Sequence, residues 1–360
     1  MLRQPFVLFL RAALLSAAVS LCPLLAHAVT ISLVEVGNPG NSADGEGGPG
    51  AVASSYYISK YEITIGQYVE FLNAVAETDT NGLWNPGMHT DENIRGIART
   101  GSDGSYLYTA DGPVGLNSGS VVAQSAANRP ITFVSWDNAA RFANWMANGQ
   151  PTGAQTAGTT EDGAYLIGAT VTRRTTNPNT GAAPTYALPT SDQWYKAAYY
   201  DPTLNSGTGG YYAYATQSNT SPGNTVGPDP NQANVVVGGE YSLTQSSELV
   251  GAQNYLTDVG SYSSSSSFYG TFDQTGNTSE WTETLGDSAS EALLRGGAWN
   301  INALGAGNGI SAALSTANYD TGFRLVAAVP EPGTMGLLAS GVGVGLWHLA
   351  RRRRGGRQAV

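Results

Sequence analysis

Short apolar pieces separated by glycine, asparagine, serine and proline fill most of this chain, which holds 46 Gly and 17 Pro in 360 residues. Pieces such as "YYISKYEIT", "RPITFVSW", "AYLIG" at Ala164 to Gly168, "TDVGSY", "LLRGGAW" and "TGFRLVAA" read as short strands joined by long ordered loops. Only three segments keep a helical period, and each begins with a capping residue. In "TIGQYVEFLNAVAE", Thr64 and Gln67 make a capping box, and Ile65, Tyr68, Phe71, Leu72 and Val75 share one face. In "SWDNAARFANWMANG", Ser135 caps, Ala139, Phe142, Ala143 and Met146 line a face, and Gly149 closes the helix. In "PTSDQWYKAAYYDP", Thr190 and Gln193 repeat the box before Trp194, Ala197 and Ala198, and Pro202 ends the run. These stripes are core, not sites.

The two ends are of another kind. Residues 1–28 carry Arg3 and Arg11, the apolar run "AALLSAAVSL" and then "AHA", which sets Ala26 and Ala28 at the −3 and −1 positions of a signal-peptidase site. The competing reading, a lipid anchor on Cys22, lacks the small residue such an anchor needs, because Leu21 precedes the cysteine. At the other end Pro330-Glu331-Pro332 is followed by an apolar span from Gly333 to Ala350 and by Arg351 to Arg354. Eighteen residues is near the lower limit for crossing a bilayer, and the arginines would stop transfer and remain cytoplasmic. The alternative of a buried core helix leaves the arginine cluster without a role. These limits define a signal segment 1–28, one body 29–328 and a tail 329–360.

Seven of the 17 basic residues but only Glu331 of the 27 acidic ones lie in the ends, so the body carries 10 basic and 26 acidic groups, near −16. Such a surface argues against nucleic acid, whose phosphates need clustered Lys and Arg. The body has no cysteine and a single histidine, His89, in the turn-rich "NPGMHTDEN". Disulfides, thiolate metal sites, cysteine nucleophiles and histidine triads are thereby excluded, and His89 reads as a surface residue. The glycine-rich stretches carry no phosphate-loop pattern.

Taken in order, "YYISKYEITIGQYVEFLNA", "RPITFVSWDNAARFANWM", "ALPTSDQWYKAAYY", "YGTFDQTGNTSEWTET", "LRGGAW" and "TGFRL" resemble the formylglycine-generating enzyme family, or sulfatase-modifying-factor domain, from about Tyr57 to Val326. The tail resembles a PEP-CTERM sorting signal. The first resemblance implies an α+β, C-type-lectin-like fold with low regular secondary structure. The second implies recognition by an exosortase in a Gram-negative bacterium, removal of the tail, only transient anchoring in the inner membrane, and delivery to the cell surface or extracellular matrix.

Family enzymes oxidise a sulfatase cysteine with copper held by two cysteines just beyond the "GGxW/Y" turn. Here that stretch is "GGAWNINALGAGNGI", where Ile301 and Ala306 stand at about the thiol positions and cannot bind copper(I). A relative that makes sulfoxides takes iron ligands from histidines of a separate amino-terminal domain, for which this chain has no counterpart. The resemblance also implies a structural calcium at "TGNTSEW", with Glu280 as anionic ligand beside the carbonyls of Thr275, Gly276 and Thr278. A second family calcium would match Asn234 and Val235, without a clear carboxylate partner. The competing reading of Glu280 is a buried carboxylate bonded to backbone amides, Arg295 or Arg324. Trp281, Trp299 and Phe323 read as core aromatics, Arg295 and Arg324 as forked clamps on loops, and Gly296 and Gly297 as a tight turn.

The expectation is an exported, non-catalytic binding or structural module, with glycans or extracellular polysaccharide as the partner that the lectin-like topology favours. The alternative is an oxidoreductase of the family with a non-standard site, and a third reading is a displayed receptor whose variable surface lies after "RGGAW". Within "NINALGAGNGISAALSTANYD", residues 300 to 320, Asn302, Asn308 and Tyr319 are the candidate ligand contacts, since amides and an aromatic suit sugar hydroxyls.

Overall fold

The computed structural model describes residues 28–111, 116–118, 121–122, 126–169, 171–251 and 253–328. The export segment with Cys22, and the tail with its 333–350 span, lie outside the described residues. No helix among the described residues is long and apolar enough to cross a membrane.

The three capped helices form where local rules place them. Helix α1 spans Ile65–Val75, with Gln67 N donating to Thr64 Oγ1 at 3.3 Å and Gln67 Oε1 accepting from Thr64 N at 2.9 Å. Helix α2 is Trp136–Ala147, capped by Ser135, and the chain leaves it through Gly149 in a left-handed conformation. Helix α3 is Ser191–Tyr199, with the second capping box complete. Every residue assigned to the three stripes is buried. Phe142 of α2 is the hub, with ring centroids 5.3 Å from Phe71, 6.0 Å from Tyr68, 5.7 Å from Trp145 and 5.4 Å from Phe323. Burial of such rings is a main source of folding free energy.

Two four-stranded sheets complete the frame. The first has the order β1-β2-β8-β3, from β1 (Leu33–Val36), β2 (Tyr56–Ser59), β3 (Tyr186–Ala187) and β8 (Val326–Ala327). The second has the order β6-β5-β4-β7, from β4 (Ser279–Leu285), β5 (Glu291–Arg295), β6 (Ile310–Ala313) and β7 (Thr321–Gly322). Strands β4 and β7 run parallel, whereas β4–β5 and β5–β6 are antiparallel. Between β7 and β8 the chain passes from one sheet to the other through Phe323, Arg324 and Leu325, all buried. That crossover fixes the position of Arg324.

Three pieces expected as strands are not strands. "RPITFVSW" is buried in large part, "AYLIG" and "TDVGSY" only in part, and their backbones bond singly to neighbouring loops, as in Ile131 N to Ile63 O at 2.9 Å, Arg174 N to Ala164 O at 2.8 Å and Val259 N to Asn128 O at 2.9 Å. Phe133, at φ 58°, also interrupts any extended run in the first of them. Apolar length and alternation are present there, but among the described residues the pairing goes no further than an isolated bridge between Thr64 and Pro130.

Candidate functional site

The turn "TGNTSEW" leads into β4 and carries Glu280 to the centre of the molecule, where it is fully buried. Arg324, also fully buried, donates Nε to Glu280 Oε2 at 2.5 Å and Nη2 to Oε1 at 2.7 Å. The indole Nε1 of Trp194 on α3 donates to the same Oε2 at 2.8 Å. The guanidinium continues to the carbonyls of Ser59, at 3.0 Å, and Phe272, at 2.9 Å. One forked cation thus ties β2, the loop before β4, β4 itself and the sheet crossover, the geometry in which arginine is strongest.

Two more carboxylates share this interior. Glu62 Oε1 accepts from Thr278 Oγ1 at 3.4 Å, while its buried Oε2 has no partner among the described residues. Burial, then the charges of Asp273 and Glu280, hold its carboxyl well above the usual carboxylate range. Asp273 Oδ2 accepts from Gly260 N at 2.6 Å, and burial pushes this carboxyl up to about 6. It borders a recess, lined also by Thr216, Gln232, Tyr262 and Thr275, with room for about one water molecule. Sequence reasoning missed Glu62 and Asp273. The signal was a lone acid in each of the apolar pieces "YYISKYEIT" and "YGTFDQTGN".

The residues expected to hold metal are brought together, but as a hydrogen-bonded knot. Asn234 Nδ2 donates to Tyr255 O at 2.9 Å and to Asn277 Oδ1 at 3.0 Å, and the Asn234 carbonyl accepts from Asn277 N at 2.9 Å. Val235 O accepts from Asn224 Nδ2 at 3.3 Å. A side chain at Gly276, φ 88°, would come within 2.3 Å of the Asn234 carbonyl oxygen, so only glycine lets Thr275, Gly276 and Thr278 pack here. Calcium takes about six to eight oxygen ligands. The Glu280 carboxylate instead holds a guanidinium and an indole, and among the described residues no three His, Cys, Asp or Glu side chains gather into a metal-holding group. The donor set does not fit calcium at Glu280, because the ion would have to displace Arg324. Of the two readings of Glu280, the arginine pairing is the one its hydrogen bonds describe.

The melting temperature should therefore be the same in calcium and in chelator. An ion present at 100-fold above its dissociation constant would contribute about 2.7 kcal/mol. A chelator-sensitive shift of that size, abolished in Glu280→Gln, would show that calcium takes the carboxylate from Arg324.

Beyond β5, Gly296 and Gly297 turn the chain with φ 97° and 79°, and a Cβ at Gly296 would press on Trp194 at 3.2 Å. Arg295 clamps the loop after this turn, donating to Ser191 Oγ at 2.8 and 3.0 Å and to the carbonyls of Ala306 and Asn308 at 3.3 and 3.2 Å. Of the two residues expected at about the thiol positions, Ile301 is half-buried and Ala306 packs in a cluster with Trp194, Tyr195 and Ala215. Neither side chain has a donor atom, so the residues present do not fit copper.

The three candidate ligand contacts are each tied to a different neighbour. Asn302 is exposed and bridges to Val236, Asn308 is exposed and closes a turn on the Gly305 carbonyl at 3.2 Å, and Tyr319 accepts from Asn300 Nδ2 at 3.0 Å. Tyr319 also packs edge-on to Trp299 at 6.2 Å. Trp299 is buried in a cluster with Ile94, Tyr255 and Leu256, and Tyr241 packs against it. His89 lies exposed in a single helical turn and contributes nothing to either centre.

An α+β body with little regular structure, two small sheets joined by a buried arginine crossover and a glycine-framed loop after β5 define a sulfatase-modifying-factor-type domain. The model of the sulfatase-modifying factor enzyme 1-like domain matches residues 33–329, and the chain belongs to that family. The PEP-CTERM protein-sorting motif matches residues 328–354, which implies export, membrane-associated sorting of the Gram-negative type and exosortase-mediated processing. Among solved structures the chain is similar to CarF (TM-score 0.43, 18% identity, 83% of this chain and 99% of that one). It is also similar to Treponema denticola variable protein 1 (0.44, 15%, 84% and 97%) and to PvdO from Pseudomonas aeruginosa (0.38, 18%, 83% and 92%). No curated protein matches the chain.

Proposed function

We propose that this protein is a non-catalytic member of its family, displayed at the cell surface or in the extracellular matrix as a binding or structural module whose partner is a glycan. The observation that carries the reading is the replacement of both thiol positions by hydrocarbon, Ile301 and Ala306, with Ala306 packed into the core. Arg324, and not calcium, supplies the internal cation at Glu280. The lectin-like topology supports a glycan partner by analogy of fold alone. The exposed amides of Asn302 and Asn308 and the half-exposed ring of Tyr319 offer hydrogen bonds and stacking on a loop framed by rigid elements.

The test uses the mature exported protein. Incubated with a sulfatase-type cysteine peptide, with or without copper, it should leave the peptide mass unchanged. A loss of about 18 Da, thiol to aldehyde, would establish catalysis through other ligands. On a glycan array it should give saturable binding. A blank array together with an inert peptide would leave only a structural role.

A further inference from the structure

Six tryptophans lie among the described residues, and five of their indole N–H groups donate to an acceptor. Trp84 reaches the Ile97 carbonyl, Trp136 that of Thr282, Trp145 that of Pro151, Trp194 the Glu280 carboxylate and Trp281 the Val134 carbonyl. Trp299 is the sixth. It is 4% exposed, and its Nε1 has no partner among the described residues. The next residue repeats the pattern, since Asn300 Nδ2 donates to the Tyr319 hydroxyl while its buried Oδ1 has no donor among the described residues. Leaving a buried donor or acceptor unpaired is costly, and here one of each falls on consecutive residues.

Tyr319 joins the two. Its ring lies edge-on to Trp299 and its hydroxyl on Asn300, and it is 43% exposed. Tyr241, half-buried, adds a second ring 5.7 Å from Trp299, and Tyr255 stacks on Trp299 at 5.2 Å. From Gly296 to Tyr319 no residue is charged, within a body near −16. A ligand completing this patch must bring one acceptor and one donor, present an apolar face to Tyr319 and carry no negative charge. A sugar hydroxyl is both donor and acceptor, and the C–H face of a pyranose stacks on an aromatic ring.

We propose that Trp299, Asn300 and Tyr319 form a subsite for one ring of a neutral oligosaccharide: the exposed Tyr319 ring stacks on the sugar and moves off Trp299 and Asn300 as it does so, which opens the buried indole N–H and Asn300 Oδ1 to ring hydroxyls. The proposal rests on the glycan-binding function and narrows it from glycans at large to uncharged ones. It also moves the centre of the site from Asn302 and Asn308 to the residues just after the glycine turn.

The experiment titrates the mature exported protein with cellohexaose and mannohexaose as neutral probes and with an oligogalacturonate as the acidic one. A neutral probe should bind, and in the ¹H–¹⁵N spectrum the indole signal that is missing from Trp299→Phe should be the one that moves. Trp299→Phe, which keeps a ring and removes the N–H, and Tyr319→Ala should each weaken binding about tenfold with the melting curve retained. Equal binding of a neutral probe by both folded variants overturns the subsite while leaving the glycan reading in place. Binding of the acidic probe alone also overturns it and leaves that reading. If no sugar binds, in these titrations or on the array, both fall together.

Discussion

Arg324→Leu is expected to destabilise the domain by about 3–5 kcal/mol, because it strips the cation from a fully buried carboxylate. Glu280 would then face Glu62 and Asp273 with no positive charge among them, and the carbonyls of Ser59 and Phe272 would lose their donor. Small domains hold only about 5–15 kcal/mol in all, so the loss is a large share of the stability. Glu280→Leu should cost a similar amount by stranding the guanidinium. The double variant should cost less than the sum of the two, since replacing both members of a buried pair by hydrocarbon removes the unpaired charge along with the attraction. Urea unfolding monitored through the buried tryptophans gives each value from the midpoint at constant slope. A cost under about 1 kcal/mol for Arg324→Leu would mean that the crossover is held by packing around Phe323 and not by its arginine.

The same interior makes the fold more stable in mild acid than at neutral pH. Asp273 titrates at about 6 in the folded protein, against 3.8 ordinarily, so folding takes up a proton between those values. Its contribution is fully present below about pH 4 and is lost as the pH rises through 6, an effect of about 3 kcal/mol. Glu62, raised by its burial and by the same neighbours, acts in the same direction. Glu283, raised by burial and held back by Arg173, adds to it. The melting temperature should therefore fall between pH 4.5 and pH 7.5, and Asp273→Asn, neutral at every pH, should flatten that fall. A melting temperature that rises over the range would show that these carboxyls are ionised and paired in the folded state.

An exported protein meets a less constant pH than one in the cytoplasm, and this interior is steadier on the acid side. The inversion has a plain origin. Three carboxylates, Glu62, Asp273 and Glu280, are enclosed around one arginine whose fork is spent on Glu280. The other two are more easily buried as acids than as anions.

The starts of the three helices were legible in the sequence, because caps and stripes are set by neighbours three and four positions away, whereas the third helix stops at Tyr199, short of the expected end at Pro202. Thr64 with Gln67 and Thr190 with Gln193 need nothing else to declare a helix start. The family was legible as well, from the order of short motifs along the chain, and so was the absence of cysteine from residues 29–328. Strands were legible only in part: "LLRGGAW" found a partner edge in β4, whereas "RPITFVSW" did not, and an isolated piece cannot show whether such an edge exists. The role of Glu280 was open between a metal and an arginine because both satisfy the same carboxylate. The crossover from β7 to β8, which sets Arg324 against β4, gives that carboxylate its arginine. Nor could the chain alone show that the Trp299 indole has no hydrogen-bond partner among the described residues while five other indoles have one. Local hydrogen bonds are written in adjacent residues, but the pairing of a buried charge or indole depends on which distant segments the fold brings within about 3 Å, and no sequence spacing encodes that distance.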